Sequence, residues 1–235
     1  MTFRERPALR PGGWIWVSTP TGSARAPVLP DGCMDLLWSE EHGLLLAGPD
    51  ERAQPPGAGP GHWAGYRFAP GTAPALLGVP ARALLGLRVP LAEVWPARRV
   101  SRPHDALTAA LASGTPPGRA LETAALPLLT GTPPDPLAPV LLAAAHAARP
   151  LTETARASGA SPRRLHRAAL AAFGYGPRTL ARVLRLQRTL PLLDAGVPLA
   201  TTAVEAGYAD QPHLTRELRA LTGLTPRELR AVRRG

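Results

Sequence analysis

The chain has 235 residues, 45% of them hydrophobic, and a formal net charge of +10, enough to bury one large core or two small ones. No apolar run reaches transmembrane length. MTFRERPALRPGGWIWV also lacks the apolar stretch and small-residue cleavage site of a secretory signal, so a cytoplasmic location and no membrane partner are expected. One cysteine, Cys33, excludes an internal disulfide and any zinc site built from several thiolates.

All 27 basic residues are arginine, and their placement divides the chain near residue 139. Residues 1–139 carry 12 arginines against 11 acidic residues, whereas residues 140–235 carry 15 against 6. The same cut separates 22 prolines from 7, and all five tryptophans precede it. A near-neutral domain beside a strongly basic one implies two domains with different partners, the basic one suited to an anionic polymer. The expected class is α+β: a mainly-β, barrel-like domain over 1–105, a helical and Pro-rich connector over 106–139, and an all-α domain over 140–235.

In chain order, WIWV (14–17), CMDLLW (33–38), GLLLAG (43–48), GYRFAPG (65–71), ALLGVP (75–80) and ALLGLRVP (83–90) read as short strands punctuated by Gly, Pro and Asp. DERAQPPGAGPGH (50–62) reads as a mobile loop. Leu91–Trp95 begins a short helical exit, LTAALAS (107–113) and RALETAALPLL (119–129) are predicted helices, and GTPPDPLAP (131–139) is a semi-rigid linker.

Cys33 is the obvious candidate nucleophile, with His42 and His62 as bases and Asp31 or Asp35 as orienting groups. Against it, Cys33 opens an apolar run, where a buried inert thiol is the usual outcome, and no nucleophile elbow, phosphate-cradling Gly loop or His/Glu metal motif accompanies it. The spacing of Cys33, His42 and His62 fixes no coordination geometry, so no catalytic residue, metal or cofactor is expected. Trp14, Trp16, Trp38, Trp63, Tyr66 and Arg67 either line an apolar ligand cavity or fill a core.

The C-terminal region repeats itself. At an offset of 48, Leu151, Thr154, Ala155 and Gly159 meet Leu199, Thr202, Ala203 and Gly207. At an offset of 49, Leu165, Arg167, Gly174, Pro177, Arg178 and Leu180 meet Leu214, Arg216, Gly223, Pro226, Arg227 and Leu229. Each unit reads as a helix opened by Thr152 or Pro198, a glycine turn, and a second helix capped by Ser161 or Asp210, which is a helix-turn-helix. Leu165 and Ala169 make the apolar stripe of the first recognition helix, leaving Arg163, His166 and Arg167 outward. In the second, Leu214, Leu218 and Leu221 leave Gln211, Pro212 and Arg216 outward. Arginine suits guanine O6/N7 and glutamine suits adenine N6/N7. Between the units, PRTLARVLRLQRTLPLL (177–193) reads as a long helix that Pro191 kinks or ends. Its Arg182 and Arg185 meet either phosphate or acidic neighbours.

SPRRLHRAALAAFGYGPRTLARVLRLQRTL and, above all, AVEAGYADQPHLTRELRALTGLTPREL resemble the DNA-binding domain of the AraC/XylS family of bacterial transcription regulators. The resemblance implies base contacts from Arg163, His166, Arg167, Gln211, Pro212 and Arg216; phosphate contacts are expected from Arg164, Arg178, Arg182, Arg185, His213 and Thr215. Pro212 departs from the pattern because it offers no polar side chain. Expected partners are double-stranded promoter DNA and RNA polymerase, with a small-molecule effector at the N-terminal domain and a homodimer left open. VLPDGCMDLLW, LLLAGPD, GYRFAPGTAPALLGVP and LRVPLAEVW resemble an uncharacterised sensor-like domain found ahead of this module in actinobacterial regulators. Two rival readings stay open: a DNA-targeted modification protein using Cys33, and a sequence-indifferent architectural binder.

Overall fold

The computed structural model describes residues 2–9, 12–19, 26–55, 61–129 and 131–234. Six strands, β1 (Thr2–Pro7), β2 (Gly13–Thr19), β3 (Asp35–Ser39), β4 (Gly43–Ala47), β5 (Trp63–Phe68) and β6 (Arg88–Pro90), form one antiparallel sheet in the order β1-β2-β5-β3-β4-β6. The two-residue alternation of the strands sends Ile15, Leu36, Leu46, Ala64, Tyr66 and Phe68 to one face. Helices α1 (Ala73–Leu77), α2 (Leu91–Val94), α3 (Ala97–Ala112) and α4 (Pro117–Ala125) close over that face with Leu77, Leu91, Leu107 and Leu121. Each fully buried side chain of this kind stabilises the fold by roughly 1.5–3 kcal/mol relative to exposure. On the opposite face, Trp16 and Trp63 pack against Leu37, Leu45 and Ala47.

The sheet is open, not barrel-like as expected, with β1 and β6 as its edges. Helices already seal its core, so burial does not require closure. Both edges discourage pairing with another chain: β1 alternates Arg4, Glu5 and Arg6, while β6 has only 3 residues and ends at Pro90. ALLGVP is not a strand. It belongs to α1, which has a proline in its first turn and ends at Gly78 in the left-handed region (φ 71°). In ALLGLRVP only Arg88–Pro90 is a strand, preceded by a 3-10 turn over Ala81–Leu84. LTAALAS forms the end of α3, and RALETAALPLL forms most of α4 and a 3-10 turn over Leu126–Leu128. Of the loop expected over 50–62, residues 56–60 lie outside the described residues.

The remaining chain is helical: α5 (Leu137–His146), α6 (Leu151–Ser158), α7 (Pro162–Phe173), α8 (Pro177–Asp194), α9 (Leu199–Ala206), α10 (Gln211–Thr222) and α11 (Pro226–Arg234). Two apolar clusters hold it together. Leu141, Leu165, Ala169, Phe173, Leu180 and Val183 form the first, and Leu190, Ala203, Leu214, Leu218, Leu221 and Leu229 the second. The start of α8 packs in the first cluster and its end in the second, so this helix joins two otherwise separate cores. Of the two expectations for Pro191, a kink or an end, the second does not hold: α8 continues to Asp194. The missing N–H falls in the last turn and the proline is exposed, so only one ladder bond is lost. No helix among the described residues is long and apolar enough to cross a membrane.

Candidate DNA interface

In the first unit, α6 ends at Gly159 in the left-handed region (φ 65°), and the chain re-enters a helix at Ser161. Ser161 Oγ accepts a hydrogen bond from the Arg164 N–H at 3.2 Å, satisfying one of the unpaired donors of the first turn of α7. The second unit repeats the plan: α9 ends at Gly207 (φ 83°), and Asp210 accepts from the His213 N–H at 2.6 Å. Thr154 and Thr202, equivalent in the repeat, are both buried; Thr154 donates to the Pro150 carbonyl and Thr202 to that of Val197. Pro150, not Thr152, precedes α6, which makes it the counterpart of Pro198.

Arg163, His166 and Arg167 are exposed on α7, and Gln211, Pro212 and Arg216 are exposed on α10. Opposite them, Leu165 and Leu214 are each 0% exposed. Both recognition helices therefore turn an apolar stripe to a core and a polar stripe outward. Arg164 and Arg178 are exposed as well.

Among the other phosphate candidates, several side chains already have intramolecular partners. Arg182 Nε donates to Glu217 Oε2 of α10 at 2.7 Å, so the acidic neighbour weighed as an alternative for this residue is present. Thr215 donates back to the Gln211 carbonyl at 3.0 Å, and His213 Nδ1 accepts from the Ala209 N–H at 3.2 Å. The His213 ring also stands edge-on to Tyr208, whose hydroxyl is raised above its ordinary range chiefly by burial. The guanidinium carbon of Arg185 lies 5.3 Å from the centroid of the Tyr208 ring, a cation–π arrangement.

A cleft of about 490 Å3 opens between α5, α6, α7 and α8, with Leu141 and Leu151 on its apolar side and Arg149, His166, Arg178 and Arg185 around it. Sequence reasoning missed Arg149. It follows Ala148, whose left-handed backbone (φ 51°) makes the turn between α5 and α6; the only available signal was its place in the arginine-rich region.

Of the N-terminal candidates, Asp31 and Asp35 lie beside Cys33, whereas the two histidines do not. Cys33 precedes β3, while His42 follows it and His62 precedes β5; because Ser39 pairs with Trp63 and Asp35 with Arg67, both histidines lie at the end of β3 remote from the thiol. His42 Nδ1 lies 3.3 Å from Ser39 Oγ, and the His62 N–H donates to Glu40. Burial, and then the carboxylates of Asp31 and Asp35, push the Cys33 thiol well above its usual range, so it stays protonated and weakly nucleophilic. Those carboxylates serve a different purpose. Arg67 Nε lies 3.2 Å from Asp35 and 3.4 Å from Asp31, and Trp16 Nε1 donates to Asp35 at 2.9 Å. Asp35 and Asp31 thereby raise the Arg67 guanidinium above its ordinary range, against the opposing effect of burial. Trp38 and Tyr66 belong to the helix-covered core, whereas Trp14 is 37% exposed. Among the described residues, no group of three His, Cys, Asp or Glu side chains is placed to hold a metal ion.

Two helix-turn-helix units on one connecting helix, each with an outward polar face on its second helix, define a DNA-binding protein. Comparison with known proteins agrees. Residues 154–231 match the model of a helix-turn-helix domain family, and residues 13–90 match a domain of unknown function (DUF6597). Among solved structures, the chain is similar to the C-terminal domain of AraT, a response regulator from Geobacillus stearothermophilus, at 19% identity over 41% of this chain and 85% of that one (TM-score 0.39). It is also similar to a probable AraC family transcriptional regulator from Rhodopseudomonas palustris, at 24% identity over 43% and 97% of the two chains (TM-score 0.36). ToxT from Vibrio cholerae matches along 98% of this chain and 97% of its own at 9% identity (TM-score 0.46). No curated protein matches the chain. Residues 154–231 therefore form a helix-turn-helix domain, a DNA-binding module.

Proposed function

We propose that the protein reads two successive major-groove segments of promoter DNA, one with α7 and one with α10. The observation that carries this reading is the pair of equivalent recognition helices, both capped, both exposed over their first turns, and both seated on α8. Arg163, His166 and Arg167 face bases in one segment, and Gln211 and Arg216 in the other, where Pro212 offers only apolar contact. Arg164, Arg178, Arg182, Arg185, His213 and Thr215 face the phosphates that fix register. Residues 140–235 are the reader and residues 1–105 the sensing or assembly domain. Within the connector over 106–139, Leu107, Leu121 and Leu128 are part of the sheet's core, and Leu137 and Ala138 of the reader's first apolar cluster. An effector or a second copy of the chain acts through the sheet domain, and contact with RNA polymerase converts DNA binding into transcriptional output. The protein works in the cytoplasm, where its DNA is, and performs no chemistry.

The test is selection of bound sequences from a random duplex pool with the full-length chain at near-physiological salt. The expected result is a motif of two blocks about 34 Å, one helical turn, apart. Binding without any enriched motif would replace this reading with that of an architectural binder. Competition by unrelated DNA gives the second readout, with specific sites favoured by about 10³-fold or more.

A further inference from the structure

The sheet domain holds both recognition helices at their C-terminal ends. Gly174 closes α7 in the left-handed region (φ 80°), and a Cβ there would lie 2.8 Å from Pro49 Cγ and 3.3 Å from the Ala81 carbonyl oxygen. Only glycine permits both that conformation and that approach. At the end of α10, the carbonyl of Leu221 accepts a hydrogen bond from the Ala53 N–H at 2.7 Å, so a loop of the other domain supplies a partner to the helix terminus. Between these two points, Gln187 Nε2 of α8 donates to the Pro30 carbonyl at 2.6 Å. Leu85 packs on the first apolar cluster of the reader and Leu29 on the second.

The segments that make these contacts are fixed to the sheet. Gly48 N–H donates to the Leu87 carbonyl and Gly86 N–H to that of Pro49, both at 2.9 Å. Buried Asp50 pairs with both terminal nitrogens of Arg88 on β6, at 2.9 and 2.6 Å. Val28 and Gln54 exchange both backbone hydrogen bonds, at 3.0 and 2.9 Å, tying residues 49–54 to the run that carries Leu29 and Pro30. One anchored segment thus touches the end of α7 at Pro49 and the end of α10 at Ala53.

We infer that the sheet domain is a brace that sets the separation and tilt of the two recognition helices, making residues 28–32 and 49–54 determinants of the spacing between DNA blocks. This rests on the two-block reading proposed above. The reader's two apolar clusters share no residue and are joined by α8, so a second tie between the units limits motions that one helix alone would allow. The brace meets C-terminal ends, whereas Arg163, Arg167, Gln211 and Arg216 stand toward the N-terminal ends, so it leaves the groove-facing groups open. A one-base-pair change of spacer moves one block by about 3.4 Å and about 35° relative to the other. A braced reader cannot follow such a shift without strain.

The experiment measures binding of the full-length chain to its selected site and to versions with one base pair inserted or removed between the blocks. For the wild type, either change should weaken binding by about tenfold or more, the scale of a mismatched pair. The double variant Leu29→Ala, Gln187→Ala should keep its affinity for the selected site and lose clearly less on both shifted spacers. Identical spacer profiles for wild type and variant would overturn the brace and leave α8 as the sole ruler. A selection that returns no two-block motif would instead overturn the reading beneath it. Ala53→Pro, which deletes the donor to Leu221, is the second variant if the first does not fold, and the same flattened profile is expected. In the wild type, slow hydrogen exchange of the Ala53 N–H is expected with and without DNA; fast exchange in both states would also overturn the brace.

Discussion

The two helix-turn-helix units share a backbone plan and differ in charge. Helix α7 carries Arg163, Arg164, His166 and Arg167 without an acidic residue, while α10 carries Arg216 and Arg219 together with Glu217, which holds Arg182 of α8 at 2.7 Å. Their caps differ in the same sense: a neutral serine at 3.2 Å in the first unit, a carboxylate at 2.6 Å in the second. A repeat preserves what the fold needs, namely glycine turns, buried leucines and an N-cap, and leaves the solvent face to diverge. On the proposed reading, both units read bases, the first with an uninterrupted basic face and the second with a face on which an acidic residue offsets part of the charge.

The largest effects should come from the feature the units have in common. Leu165→Ala and Leu214→Ala each remove a fully buried side chain and should destabilise the protein by ~2–5 kcal/mol in denaturant unfolding. Because the two leucines belong to different clusters, the double variant should show additive losses within about 0.5 kcal/mol. A large coupling energy would mean that the units share one core after all. Next comes readout: Arg216→Ala should cost ~1–3 kcal/mol on the selected site and relax base preference at one position. Equal losses on every sequence would move Arg216 to the phosphate contacts.

Smaller effects sharpen the contrast between the caps. Substituting either cap by alanine should cost about 1 kcal/mol, and Asp210→Ala more than Ser161→Ala, since its bond is shorter and charge-assisted. Equal losses would show that the carboxylate adds nothing to the second unit. Salt dependence separates the arginines. Arg164→Ala should reduce the slope of log affinity against log salt by about one unit, while Arg182→Ala, whose guanidinium is engaged by Glu217, should reduce it by less. The reverse order would make Glu217 a guide that holds Arg182 on the phosphate and not a competitor for it.

What the sequence disclosed follows from how local each signal is. Gly159, Gly207, Ser161 and Asp210 act within a few residues, so both helix-turn-helix units and their caps were legible. β1 was not, because TFRERP has charges on successive residues and becomes a strand only by pairing with β2. ALLGVP has no polar positions to reveal a period, and a short apolar run does not distinguish strand from helix. The open sheet was hidden for a related reason: closure depends on whether α3 and α4 cover the core, a tertiary fact. The bond from Ala53 to Leu221 uses backbone groups that every sequence offers, and the Gln187 side chain donates to a backbone carbonyl distant in sequence, so no local pattern announced either.

The smallest expected effect again divides the units. In the second, the Thr225 N–H and hydroxyl both donate to Glu228, at 2.7 and 2.8 Å, and Thr225 Oγ1 accepts from the Glu228 N–H, a reciprocal cap at the start of α11. The repeat places Gly176 and Thr179 at the matching positions around the start of α8, so the first unit has no such carboxylate. Those hydrogen bonds hold the Glu228 carboxyl below its ordinary range. A depressed folded-state value means that the contribution is fully present above the unfolded-state value and is lost as pH falls through the folded-state one. On acidification below the carboxylate range, amide protection in the first turn of α11 should therefore fall while that of α8 holds, as followed by hydrogen exchange. Glu228→Gln should remove this pH dependence. A parallel loss in both helices would assign the acid response to the whole reader and erase this difference between its halves.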